Sequence, residues 1–114
     1  MKTLTVVALL AAAAAATLVS SAVAATPTKI VGNVKNGKRW FVAQQCGSCH
    51  MMAAAGAMDG SGVGSDLDIS TKTYAQMITQ ITKGGHGMTG YAHVLTTSQI
   101  QDLAAFIYTT SHHK

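Results

Sequence analysis

The chain has 114 residues, 11% of them charged, and a formal net charge of +4. That length suits one small domain and excludes a multidomain enzyme. The eight Lys and Arg residues are scattered rather than massed in one block, so a nucleic-acid-binding surface is not expected.

Residues 1–25 read as a secretory signal peptide. Met1-Lys2 precedes an apolar run from Leu4 through the alanines Ala11 to Ala16. Ala22-Val23-Ala24 and Val23-Ala24-Ala25 are small-residue cleavage sites, placing the cut before Ala25 or Thr26. An uncleaved anchor is the other reading, but the apolar run is shorter than the roughly 20 residues a spanning helix needs. Removal of Lys2 with the signal leaves seven basic against four acidic residues, or +3. The mature protein is expected in the periplasm.

Residues 26–36 form a leader holding the only proline, Pro27, and Thr26 to Val34 within it is expected to be extended and poorly anchored. Asn36 suits an N-cap for a first helix over Gly37 to Gln45. On it Gly37 and Phe41 share a face, and the glycine allows another helix to cross closely. Lys35, Lys38 and Arg39 read as a solvated helix face, with a docking patch for an acidic partner as the second reading. Trp40 is expected to pack.

Then comes Cys46-Gly47-Ser48-Cys49-His50. This is C-x-x-C-H, the attachment signature of c-type haem. Two thiols add across the vinyl groups of one haem, and the adjoining imidazole falls beneath the iron as an axial ligand. Cys46 and Cys49 are the only cysteines, so none is left over. The competing readings are a thioredoxin-like pair, half a zinc site or a small disulfide. A zinc site would draw its remaining ligands from five histidines, of which His112 and His113 fall in an expected frayed tail. A thioredoxin-like pair needs a strand context that this sequence lacks.

Met51, Met52 and Met58 follow and are expected to pack. Asp59 to Leu67 is a glycine-rich turn segment, expected to wrap the haem edge on the His50 side, with Leu67 as an apolar contact. Ser70 or Thr71 is expected to cap a second helix whose apolar residues Tyr74, Met77, Ile78 and Ile81 recur at i, i+3, i+4, i+7. Gly84-Gly85 ends it. A glycine-rich loop carries His86, Met88 and His93. Thr96-Thr97-Ser98-Gln99 then forms a capping box for a last helix with Ile100, Leu103, Ala104 and Ile107 on its buried stripe and Phe106 beside it. Few aromatics and a small mature domain leave a thin core, which a covalently held flat cofactor would complete.

Taken together, residues Gly37 to Tyr108 resemble the class I c-type cytochromes. The match is tightest where Gly84, Met88, Tyr91, Leu95, Ile100, Leu103, Ala104 and Phe106 fall on the family pattern without a gap. The resemblance implies an all-α cytochrome c fold, three to four short helices around one covalent haem c, spanning residues 37–114. It implies His50 as proximal and Met88 as distal iron ligand, with Gly37 and Phe41 packing on Leu103 and Phe106. Thioether ligation favours reduced iron, and two protein ligands leave no position for substrate. The implied function is a one-electron carrier, not an enzyme. Its partners would be other redox proteins such as a membrane cytochrome complex, an oxidase or a dehydrogenase. A haem-bearing subunit of one periplasmic dehydrogenase, oxidase or sulfur-oxidising complex is the alternative.

The sequence departs from the family at three places. Phe41 lies five residues before Cys46 instead of four. Ser65 stands near the proline whose carbonyl orients the proximal histidine, and Thr89 replaces the proline after the distal methionine. Both loops are therefore expected to be less stiff, and His86 or His93 is the rival to Met88 as ligand.

Overall fold

A computed structural model describes residues 12–17, 29–59 and 62–113. Most of the expected signal peptide, together with residues 26–28 of the leader, lies outside them; residues 12–17 are exposed and without regular structure. Among the described residues the chain forms helices α1 (Val34–Ala43), α2 (Tyr74–Lys83) and α3 (Thr97–His112), with single 3-10 turns at Cys46–Ser48, Ala53–Ala55 and Leu67–Ile69. There is no strand among them, only isolated bridges between Met52 and Ala57 and between Gly85 and Met88. The architecture is all-α, as expected. No helix among the described residues is long and apolar enough to cross a membrane.

Helix α1 begins three residues earlier than the sequence reading placed it. Its cap is Asn33, whose side chain accepts from the Asn36 N–H at 2.9 Å; Asn36 is inside the helix. The cause is tertiary. The Asn33 N–H donates to Asp102 Oδ1 of α3 at 2.7 Å, and Gly32, at φ +118°, lies against the Gln101 carbonyl. Tyr74 Oη donates to the Val31 carbonyl at 2.6 Å. The end of the leader is thus pinned to α2 and α3 rather than loose, and its last three residues belong to α1. The helix also ends early, at Ala43. Gln45 then adopts a left-handed φ of +55°, so the extra residue between Phe41 and Cys46 is absorbed after the helix, not by a bulge within it.

Helices α1 and α3 cross with almost no gap. A Cβ on Gly37 would lie 2.0 Å from the Asp102 carbonyl oxygen and 2.6 Å from Phe106 Cβ. One turn on, the rings of Phe41 and Phe106 meet edge to face, centroids 5.9 Å apart. Trp40 packs against this core, with its indole N–H buried and unpartnered.

Thr73, not Ser70 or Thr71, caps α2. Thr73 Oγ1 accepts from the Gln76 N–H and Gln76 Oε1 accepts from the Thr73 N–H, at 3.2 and 2.9 Å. Ser70 instead closes the Leu67–Ile69 turn, donating its N–H to the Leu67 carbonyl at 3.3 Å. Tyr74, Met77 and Ile81 are buried on α2, which stops at Gly84 with φ +69°. The expected Thr96–Gln99 box opens α3. Ile100, Leu103, Ala104, Ala105, Phe106 and Ile107 are buried along it, and Tyr74 and Tyr108 meet edge to face between α2 and α3. The tail is less frayed than expected. His112 is helical, its ring stacks on Tyr108 at 4.1 Å, and its Nδ1 lies 3.0 Å from the Tyr108 carbonyl.

Candidate functional site

The Cys46–Ser48 turn sits directly on the end of α1. The Cys49 and His50 N–H groups both donate to the Cys46 carbonyl, at 3.2 and 2.9 Å, which winds the five-residue motif into a tight coil. Gly47 belongs there because a Cβ would lie 2.7 Å from Ala57 Cβ. Both cysteines are free, Cys46 half-buried and Cys49 exposed. Burial pushes the Cys46 thiol up to about 11, and the neighbouring Cys49 adds to the effect. A thiol held protonated by burial is a poorer thiolate nucleophile, and no strand stands beside the pair among the described residues. The thiols are unpaired, and among the described residues no three His, Cys, Asp or Glu side chains gather to hold a metal.

The loop after the motif returns to hold His50. Its Nδ1 lies 2.7 Å from the Ser65 carbonyl. A carbonyl only accepts, so Nδ1 carries the proton and Nε2 keeps its lone pair for a metal. Gly64 fits against the other side of this contact. Its N–H donates to the Cys49 carbonyl at 3.1 Å, and a Cβ there would lie 2.6 Å from His50 Nδ1 and 2.7 Å from Cε1. The Leu67 N–H donates to the Met51 carbonyl at 3.0 Å. The Asp68 carboxylate takes the Ala53 N–H at 3.0 and 3.1 Å. Segment 62–68 therefore wraps the His50 side, and the Ser65 carbonyl orients the ring although no proline stands there.

Met88 is presented by a two-residue hairpin. Gly85 and Met88 exchange backbone hydrogen bonds at 2.9 and 3.0 Å. His86 and Gly87 between them both have positive φ, +54° and +83°, the type I′ pattern. The hairpin is tied back to α2: Tyr91 N–H donates to the Ile81 carbonyl at 2.8 Å and Ala92 N–H to Thr82 at 3.3 Å. A Cβ on Gly84 would meet the Met88 carbonyl oxygen at 2.5 Å, and one on Gly90 the Lys83 carbonyl at 2.7 Å. These ties stand where a proline after Met88 is missing. The Gln80 amide Nε2 lies 3.8 Å from Met88 Sδ and donates to the Gly85 carbonyl at 3.2 Å.

These segments enclose a cleft of about 560 Å³, counting the open space at its mouth. Phe41, Leu67, Met77, Ile81, Tyr91, Leu103 and Ile107 supply apolar wall. Cys46, His50, Met88 and Gln80 line it, with Ser65, Ser70 and Lys72. Desolvation raises the Tyr91 phenol above its ordinary value, with the two thiols adding to the effect. His86 and His93 are exposed and do not line the cleft. The expectation that all three nearby methionines pack is corrected. Met52 is fully buried where its backbone pairs with Ala57, but Met51 is 37% exposed and Met58 59%. Gly64, Lys72 and Gln80 join the site only through the fold. Only the T-x-x-Q box at Thr73, which sets the register of α2, could have drawn attention to Gln80.

The donors suit a haem tethered at one edge. Two unpaired thiols stand three residues apart, an imidazole has its outer nitrogen free, a thioether shares the cleft, and seven side chains from Phe41 to Ile107 give it apolar wall.

The family model described as cytochrome c oxidase, cbb3-type, subunit III matches residues 32–107, a span that starts where Gly32 is pinned to α3. A cytochrome c6 of Rippkaea orientalis is 29% identical over 89 residues, covering 75% of this chain and 78% of the relative. No solved structure matches the chain.

Proposed function

The chain belongs to the c-type cytochromes, in the family described as cbb3-type cytochrome c oxidase subunit III, and from that premise we propose a periplasmic single-haem electron carrier with His50 and Met88 as the axial ligands. Covalent haem c and electron transfer come with the family; the ligand pair, the compartment and the mode of action are the parts proposed.

The observation that carries the ligand pair is the composition of the one cleft that holds Cys46. His50 enters it with Nδ1 engaged by Ser65, and Met88 enters it on a hairpin braced against α2. Met77 is the other thioether lining the cleft, but it is 4% exposed on the core face of a rigid helix. Gln80 directs its amide at the sulfur of Met88, not Met77.

The haem supplies the one-electron iron chemistry. The chain's residues do the rest. Cys46 and Cys49 tether the group, the Ser65 carbonyl sets the tautomer and tilt of the His50 ring, and the apolar walls keep water away. A soft sulfur ligand shifts the balance toward the reduced state. With His50 and Met88 holding the iron, no side chain would be asked to bind substrate or move a proton. The segments Cys46 to Ser48 and Gly87 to Tyr91 would frame the side at which a partner protein docks. Cys49, within the same motif, is exposed. The name of the matched family favours a second reading, a haem subunit serving one oxidase; co-purification with a single large partner would select it.

The test is expression with haem maturation in the periplasm, followed by visible spectra in both redox states. Wild type is expected to show covalently attached haem and a sulfur-to-iron charge-transfer band in the oxidised form. Met88→Ala should abolish that band, whereas Met77→Leu should keep it. The reverse pattern, or a band that survives Met88→Ala, refutes the ligand assignment. A mature N-terminus at Ala25 or Thr26 in the periplasmic fraction tests export.

A further inference from the structure

The cleft wall carries few polar side chains, and two of them are already engaged. His50 is held by the Ser65 carbonyl, and Gln80 is bound to Gly85 and directed at Met88. Two remain. Ser70 is half-buried, and Lys72 is exposed yet lines the cleft, which places its side chain at the mouth. Lys72 is the only Lys or Arg among the lining residues.

Their placement is set by the backbone on both sides. The Ser70 N–H closes the Leu67–Ile69 turn, the Ser70 hydroxyl accepts from the Lys72 N–H at 3.4 Å, and the Thr73 box follows immediately. The segment between the turn and α2 is therefore short and tied at each end. Nearby acids do not claim the ammonium. Asp66 accepts from the Asp68 N–H, Asp68 is spent on the Ala53 N–H, and among the described residues Lys72 has no ion-pair partner.

A haem bears two propionate carboxylates that need a donor or a cation where the ring edge meets solvent. Resting on the haem reading above, we propose that Ser70 and Lys72 form the carboxylate-binding end of this cleft, the Lys72 ammonium pairing with a propionate and the Ser70 hydroxyl donating to it. The pair has a redox consequence. An uncompensated carboxylate favours the more positive, oxidised iron, so a cation held against it favours reduction. Lys72 is then a positioning and potential-setting residue, acting through the propionate and not on the iron.

The test is potentiometric titration of the purified holoprotein at low ionic strength. Lys72→Gln should lower the equilibrium constant for reduction about threefold, which is about 28 mV for one electron. Lys72→Arg should restore it. Raising the salt concentration should shrink the difference, since the pair sits at the solvent boundary. Ser70→Ala should move the constant in the same direction by less. Lys38→Gln removes the same charge from the exposed face of α1 and serves as the control. A Lys72→Gln potential equal to that of Lys38→Gln, with unchanged spectra, overturns the assignment while leaving the electron-carrier reading intact. Wild-type protein without covalent haem would instead overturn that reading, and this one with it.

Discussion

Gly37→Ala gives the sharpest test of the packing that positions the cleft, because two effects of known sign oppose each other. Inside a helix the change should help by about 1 kcal/mol, since alanine is the better helix former. The structure says the opposite will dominate. The new methyl would stand 2.0 Å from the Asp102 carbonyl oxygen, against an ordinary contact beginning at 3.4 Å, and 2.6 Å from Phe106 Cβ. The first obstacle is backbone in the middle of α3 and cannot rotate away. Helix α1 must therefore lift by about 1.4 Å, the difference between those two distances. Overpacking of this kind costs about 1–3 kcal/mol. The lift also breaks the edge-to-face contact of Phe41 and Phe106, a further 0.5–1.5 kcal/mol or so. Set against the propensity gain, the net loss should be about 2 kcal/mol, or roughly 10 °C in Tm for a domain of this size. The assay is thermal and urea unfolding of the holoprotein followed by far-UV circular dichroism, with Lys38→Ala on the exposed face as a control expected to stay within about 0.5 kcal/mol of wild type. A Gly37→Ala protein as stable as wild type, or more so, would show that the two helices are not this close.

Three other outcomes follow from the same contacts. Gly64→Ala should push the His50 imidazole off the Ser65 carbonyl, because its Cβ would lie 2.6 Å from Nδ1; a raised high-spin fraction in the oxidised spectrum is expected, and an unchanged spectrum would mean the loop yields instead of the ring. Gln80→Leu removes an N–H directed at the Met88 sulfur. A hydrogen bond of this kind is worth about 0.5–1.5 kcal/mol, so the potential should drop by roughly 20–60 mV, and a rise would show the amide does not act on the sulfur. Burial holds the phenols of Tyr74 and Tyr91 above their ordinary values. Their folded forms keep protons that the unfolded chain releases, so stability should be level below about pH 10, the ordinary tyrosine value, and fall above it; urea midpoints that stay constant from pH 8 to 11 would contradict this.

What could be read from the chain by itself was the chemistry written in adjacent residues and the helices written in local period. C-x-x-C-H needs no fold to be recognised, because its meaning lies in the reach of two sulfurs and a neighbouring ring. The Thr96–Gln99 box, the Tyr74–Met77–Ile81 stripe and the glycines that end α2 are likewise decided within one or two turns of helix. The T-x-x-Q at Thr73 carries the same signal, and the structure uses it in place of the expected cap at Ser70 or Thr71.

The rest required residues far apart in the chain to meet. Asn33 caps α1 instead of Asn36 because Asp102, 69 positions away, takes its N–H. Of three methionines beside the motif, only Met52 is buried, because the Met52–Ala57 bridge turns that one inward. Gly64 looked like one more loop glycine until His50 was found against it, and Ser65 supplies a carbonyl that every residue has, so no side chain could announce the role. Lys72 was one scattered cation among several until the fold set it at the mouth of the cleft. Local sequence thus determines which groups are made and which segments coil; where a backbone carbonyl, a missing Cβ or a single charge acquires a function is decided by distance in space, which only the packed helices provide.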